Sequence, residues 1–232
     1  MFRRERHRLV GRILAAAAND VLERCSAGFG GGTRIALVLD EYRESHDMDF
    51  LCSDTRGYAE LRSLVRDSGP TALIASAPGL VFPREPRIDQ YGVRFPVMVD
   101  GVSIRFEVVS EGRIALGPFE RPPGLPVPCL GSEDCFAEKL LANSDRWTDR
   151  DVLSRDLIDL AMMAAPSGAI PALAMQKAER AYGSVLRGDL DKARDAFLAS
   201  PEHRERCFRG LGINHPGSVV AAVERLSIGG VN

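Results

Sequence analysis

The sequence contains no C-x-x-C or H-x-x-x-H pair, no internal repeat and no low-complexity tract. It has no run near the ~20 apolar residues that a membrane span needs. Its five cysteines (Cys25, Cys52, Cys129, Cys135, Cys207) are odd in number and scattered. They read as reduced thiols of a cytosolic protein rather than a zinc site or disulfide framework. The formal net charge is −2, so no general attraction to nucleic acid or anionic membrane is expected. Near the N-terminus, basic residues precede Ile13-Leu14-Ala15-Ala16-Ala17-Ala18 and imitate a secretion signal. That run is shorter than the ~7–15 apolar residues of a true signal and leads into Asn19-Asp20, so export is not expected. The expected location is cytoplasmic.

What is present suits a soluble globular protein, with 45% apolar and 27% charged residues in a chain of 232. That length fits one sizeable domain or two small ones. Arg3, Arg4, Arg6, Arg8 and Arg12 crowd the start with Glu5 alone opposing them. Such a cluster suits either a solvated helix face or contact with phosphate backbones.

Residues 4–24 carry apolar positions at helical spacing, and Gly28-Phe29-Gly30-Gly31-Gly32-Thr33 breaks that pattern. A further helical stretch is expected over Arg34–Tyr42. His46–Cys52 alternates like a strand, with Met48 and Phe50 on one side and Asp47 and Asp49 on the other. Residues 56–67 read as helix. Beyond Leu80 two alternating runs, 91–99 and 102–109, flank Asp100-Gly101, a strong hairpin signal. Pro96 in the first arm points to an edge strand or a bulge. Four prolines within residues 121–128 mark an extended connector and a lobe boundary. Everything after it reads as helix: 132–146, 149–164, 170–182, 189–199, 201–210 and 216–226. Thr148-Asp149-Arg150-Asp151 is expected to open the second of these as a capping box. The expected fold class is α+β. An α/β lobe over 1–128, with a small mixed β-sheet and packed helices, precedes a C-terminal helical bundle lobe over 129–232.

Three glycines before a helix leave backbone N–H groups bare at its positive end, which suits phosphate, although a tight turn explains them equally. The Walker and G-x-G-x-x-G patterns both fail here. Asp47 and Asp49, two apart on a strand, share a face and can converge on one hard cation or simply line a solvated strand edge. Glu107, within the apolar strand 104–109, faces solvent or joins those two acids. In the helical half, Lys139 lies at the margin of an apolar face. Asp156 falls within the apolar arc of the next helix and Asp159 at its border. Buried acids need partners, and Lys139, Arg150 or Arg155 would supply a structural ion pair.

Taken together, Gly31-Gly32-Thr33, Arg43-Glu44-Ser45-His46-Asp47-Met48-Asp49-Phe50, Glu138-Lys139-Leu140-Leu141-Ala142 and Arg155-Asp156-Leu157-Ile158-Asp159 form an ordered series. This series resembles the AbiEii / type IV toxin nucleotidyltransferase family of the DNA polymerase β-like nucleotidyltransferase superfamily, over about residues 25–165. The resemblance implies a mixed sheet with packed helices and a helical lobe closing a cleft. It implies that Gly31, Gly32, Thr33, Arg43 and Ser45 bind the nucleotide and that Asp47, Asp49 and Glu107 hold Mg²⁺. Lys139 would meet the triphosphate, supported by Asp156 or Asp159. The implied activity is Mg²⁺-dependent transfer of a nucleotide from NTP to an acceptor hydroxyl. A tRNA 3′ end would be the acceptor, in a toxin paired with an antitoxin protein. A protein or small-molecule acceptor, or a non-catalytic nucleotide- or RNA-binding module, are the alternatives.

Overall fold

The computed structural model describes residues 2–230. The chain divides into two compact units: residues up to Leu37 together with Ser45–Gly131, and Val38–Glu44 together with everything from Ser132 onward.

The first unit opens with α1 (Glu5–Ala15) and α2 (Asn19–Arg24). A single helix was expected over 4–24. The break between these two occurs because the backbone of Ala16–Ala18 bonds sideways: Ala75 N–H donates to Ala16 O, and Ala18 N–H donates to Leu73 O. Then come β1 (Ala27–Phe29), α3 (Gly31–Val38), β2 (Met48–Cys52) and α4 (Thr55–Ser68). Asp54 caps α4, its carboxylate accepting the N–H groups of Arg56 and Gly57 at 3.1 Å each. The expected helix through Tyr42 stops at Val38, since Asp40 and Glu41 adopt φ of +57° and +54°, outside the helical region.

Two short strands, β3 (Leu80–Val81) and β4 (Arg87–Ile88), precede β5 (Gly92–Val99) and β6 (Val102–Ser110). Asp100 (φ +48°) and Gly101 (φ +81°) make the expected two-residue turn, which needs positive φ at both positions. The sheet order is β1-β2-β6-β5-β3, with β4 also on β5. The β2–β6 pairing is parallel and the others are antiparallel. Pro96 lies where β5 has no partner on its outer side, because β3 pairs with 98–99 and β4 with 93–94. A residue lacking an N–H is tolerated there. The proline-rich segment does not lie free: Cys129 pairs with Phe29 and Glu120, and Val127 and Cys129 are fully buried. The change of unit falls after Gly131.

One face of this sheet is apolar. Phe29, Phe50, Phe106 and Phe95 run side by side across four strands, with ring centroids 5.3, 5.1 and 4.9 Å apart. They share a core with Leu9, Val10, Ile13 and Leu14 of α1 and Leu61 and Val65 of α4. The alternation of β2 and β6 therefore turns Asp47, Asp49, Arg105 and Glu107 to the other face.

The second unit is helical: α5 (Ser132–Arg146), α6 (Arg155–Ala164), α7 (Ala172–Tyr182), α8 (Val185–Ala199), α9 (Pro201–Gly210) and α10 (Pro216–Arg225). A two-stranded parallel pairing of β7 (Ala169–Ile170) with β8 (Ser227–Ile228) accompanies them. The expected helix from 149 begins only at Arg155. Asp149 caps a single 3₁₀ turn by accepting Asp151 N–H, and Leu153 and Ser154 then turn left-handed. Two such residues in succession cannot continue a right-handed helix.

Candidate active site

Parallel pairing of β2 with β6 sets Asp49 directly opposite Glu107. In-register neighbours point to the same face, so two acids 58 positions apart in sequence become adjacent, with Asp47 just ahead of β2. Met48 and Phe50 are fully buried on the reverse side and anchor the strand. Three carboxylates side by side repel unless a positive group joins them.

Arg105 supplies that group. It lies two residues before Glu107 and so on the same face. Its Nη2 donates to Asp47 Oδ2 at 2.9 Å and lies 3.9 Å from Asp49 Oδ1, while Nη1 is 3.5 Å from Glu107 Oε2. Glu107 has a second cation, Arg94, which faces it across the β5–β6 hairpin and also pairs with Asp89. Burial works against the charge of Arg94, but Glu107 and Asp89 outweigh it and raise its pKa.

The glycine turn lies against this acidic face. Gly30 N–H donates to Asp49 O at 2.8 Å. Gly31 has φ +65°, and a Cβ there would sit 2.4 Å from Asp49 Oδ2. The contact requires glycine on both counts. Gly32 and Thr33 follow in the first turn of α3, where backbone N–H groups have no helical acceptor. Thr33 Oγ1 donates to Asp47 O, and Thr33 Oγ1 and Ser45 Oγ are 2.8 Å apart. Because a carbonyl only accepts, Thr33 spends its one proton there and Ser45 supplies the proton of the second bond. Ser45 N–H donates to Nε2 of the fully buried His7 at 3.2 Å, so that nitrogen carries no proton.

Gly31, Gly32, Thr33, Ser45, Asp47, Asp49 and Glu107 thus belong to the first unit. Arg43, Lys139, Asp156 and Asp159 belong to the second, where they form one buried ionic network. Arg43 grips Asp159 with two bonds, Nε to Oδ1 at 2.7 Å and Nη2 to Oδ2 at 2.8 Å. Lys139 Nζ is 2.8 Å from Asp156 Oδ1 and 2.6 Å from Asp159 Oδ2. Arg146 Nε donates to Asp156 Oδ2 at 2.7 Å, and Tyr42 donates its hydroxyl to Asp159. Burial alone would raise the pKa of both aspartates, yet the cations outweigh it and lower them. Burial likewise opposes charge on Lys139, but Asp156 and Asp159 prevail and raise its pKa. Tyr42 is pushed well above the usual phenol range by burial and by Asp159.

Sequence reading passed over Arg105, Arg94 and His7 in the first unit and Tyr42 and Arg146 in the second. The i, i+2 spacing of Arg105 and Glu107 on one strand was the available signal for the first.

The donor chemistry fits a hard divalent cation such as Mg²⁺, because all three side chains offer carboxylate oxygen. Among the described residues no group of three acids, histidines or cysteines is already gathered into an ion cage. The carboxylates instead converge on the guanidinium of Arg105. No described helix is long and apolar enough to cross a membrane.

The family model described as the nucleotidyl transferase AbiEii toxin of type IV toxin–antitoxin systems matches residues 12–207. Among solved structures, the chain is similar to JHP933 from Helicobacter pylori, at 15% identity over 97% of this chain and 92% of that one, with TM-score 0.56. An antigenic nucleotidyltransferase-like protein from Paracoccidioides brasiliensis matches at 16% identity over 91% and 97% of the two chains, with TM-score 0.47. The nucleotidyltransferase toxin MenT4 from Mycobacterium tuberculosis matches at 16% identity over 94% and 98%, with TM-score 0.35. At such identity the JHP933 likeness speaks for the fold alone. No curated protein matches the sequence closely. With the matched model spanning most of the chain, the protein belongs to the AbiEii family of nucleotidyl transferase toxins.

Proposed function

We propose that this protein moves a nucleotide from an NTP onto an acceptor hydroxyl, with the acidic face of the first unit as its reaction centre. The observation that carries the reading is the in-register pair Asp49–Glu107, flanked by Asp47 and roofed by Gly31. Asp47, Asp49 and Glu107 would hold Mg²⁺, which when bound offsets negative charge on the attacking and leaving oxygens.

The chain's own groups do the rest. Backbone N–H groups of Gly32 and Thr33, at the positive end of α3, receive the phosphates. Gly31 keeps that turn close to Asp49, and Ser45 and Thr33 hold it to the start of β2. The acceptor oxygen forms its bond to the α-phosphorus, the bond to the β-phosphate oxygen breaks, and pyrophosphate leaves. The hydroxyl proton passes to a carboxylate oxygen of Glu107. In the second unit, Lys139 spends two of its three N–H donors on Asp156 and Asp159. The third serves the triphosphate in this reading, while Arg43 acts through Asp159 rather than on the nucleotide directly.

The acceptor we favour is an RNA 3′ end, tRNA in particular, because α1 carries Arg6 and Arg8 beside Arg12, and phosphate contacts favour arginine. The protein would act in the cytoplasm and be held in check by a cognate antitoxin.

Incubation with each α-labelled NTP, Mg²⁺ and either total bacterial RNA or lysate protein tests this. Label is expected in RNA, and Asp49→Ala is expected to abolish it while circular dichroism stays native. Retained transfer by folded Asp49→Ala refutes the site. Metal-dependent NTP binding with no label in any fraction makes the protein a binding module instead.

A further inference from the structure

The guanidinium of Arg105 reaches all three acids of the proposed metal site. It reaches Asp47 at 2.9 Å, Glu107 at 3.5 Å and Asp49 at 3.9 Å, all within ion-pair range. A divalent ion bound by the same oxygens would lie among those N–H groups, and two positive charges at such separation repel strongly. Both cannot be bound at full strength together. Arg105 is also free to leave: its side chain is 53% exposed, unlike that of Arg43, which is 3% exposed. Arg94 answers Glu107 from the neighbouring strand and pairs with Asp89, so Glu107 keeps a counter-charge when Arg105 departs.

We infer that Arg105 is a built-in counter-ion that holds the three carboxylates together in the metal-free protein and exchanges places with the divalent cation. This rests on the metal-site reading above. Its consequence is a deliberately weak site for the free ion. The arginine must first be displaced, and an ion escorted by a nucleotide triphosphate does so more readily, since the phosphates add ligands of their own. The arginine sets the metal threshold and thereby couples cation entry to NTP entry.

The test uses Mn²⁺ alone as probe, following loss of the free-ion electron paramagnetic resonance signal at low ionic strength. The full-length wild type, Arg105→Gln, Arg105→Lys and Asp49→Asn are compared. Arg105→Gln should bind Mn²⁺ about two- to fivefold more tightly, the scale set by partly exposed ion pairs. Arg105→Lys keeps the charge but cannot span three carboxylates, and should fall between the two. Asp49→Asn should lose most binding. A thermal melt adds an independent readout: Mn²⁺ should raise the midpoint of Arg105→Gln by more than that of wild type, and folding of this variant only in the presence of Mn²⁺ supports the same conclusion. If wild type binds Mn²⁺ through Asp49 while Arg105→Gln binds equally or more weakly, the exchange is wrong and the metal site stands. If no form binds Mn²⁺, the site reading falls and the exchange with it.

Discussion

At Gly31 two demands meet in one residue: a left-handed backbone and near-contact with Asp49, where an added Cβ would lie 2.4 Å from Oδ2. Gly31→Ala therefore strains the turn and pushes the carboxylate away. We expect a stability loss of about 1–3 kcal/mol, as for other strained backbone positions. Transfer should fall by about a hundredfold, the usual scale for a displacement near 1 Å at a reacting centre. Urea midpoints and initial transfer rates measure the two separately. Asp47 and Asp49 were legible as a same-face pair from alternation alone, because Met48 between them and Phe50 after them had to be buried. The role of Gly31 was visible only as a broken helix pattern, since nothing local says which acid a turn will touch.

Among the elements, the β5–β6 hairpin was readable in full. A two-residue turn at Asp100-Gly101 places Val99 opposite Val102, and counting outward places Arg94 opposite Glu107. By contrast, the parallel union of β2 with β6 joins strands separated by α4 and the β3–β5 stretch, and no local pattern announces such a partner. The adjacency of Asp49 and Glu107 was for that reason open until the fold was known. The start of α6 was misplaced because a plausible cap at Asp149 served a 3₁₀ turn instead. The network joining α5, α6 and the segment 38–44 has an energetic consequence of its own. Asp159 is fully buried between Arg43 and Lys139, so Asp159→Ala leaves two positive groups without their shared partner. Removing one member of such a buried set costs about 3–5 kcal/mol, which chemical denaturation at neutral pH will register. The network also shapes the pH profile. Asp156 and Asp159 titrate lower in the folded than in the unfolded chain, so their contribution is present above about pH 4 and drains away as pH falls toward their folded values. Lys139 is raised, so its contribution is complete below about pH 10 and fades as pH climbs through its folded value. Urea midpoints should accordingly stay level through neutrality and drop at both extremes. Asp159→Ala should blunt the acid limb.

For the molecule as a whole, composition alone pointed to a reduced, water-soluble protein, and all five cysteines are buried. The α+β class and the order of sheet before helices were equally readable. What composition and periodicity did not reveal is that the helical unit is not one continuous stretch. Residues Val38–Glu44, which separate the glycine turn from the acids, belong with the helices, and the buried guanidinium of Arg43 finds its carboxylate 116 positions later. A fragment cut at Gly131 would therefore carry an orphaned buried cation in its middle, while the complementary piece would lack a segment of its own interior. Neither half should fold well by itself, and co-expression should recover soluble material that separate expression does not; two independently cooperative melts from the severed halves would show this expectation to be mistaken. The biological corollary concerns synthesis. The segment 38–44 cannot seat Arg43 on its buried partner until the ribosome has delivered Asp159, so this part of the helical unit is completed late in translation.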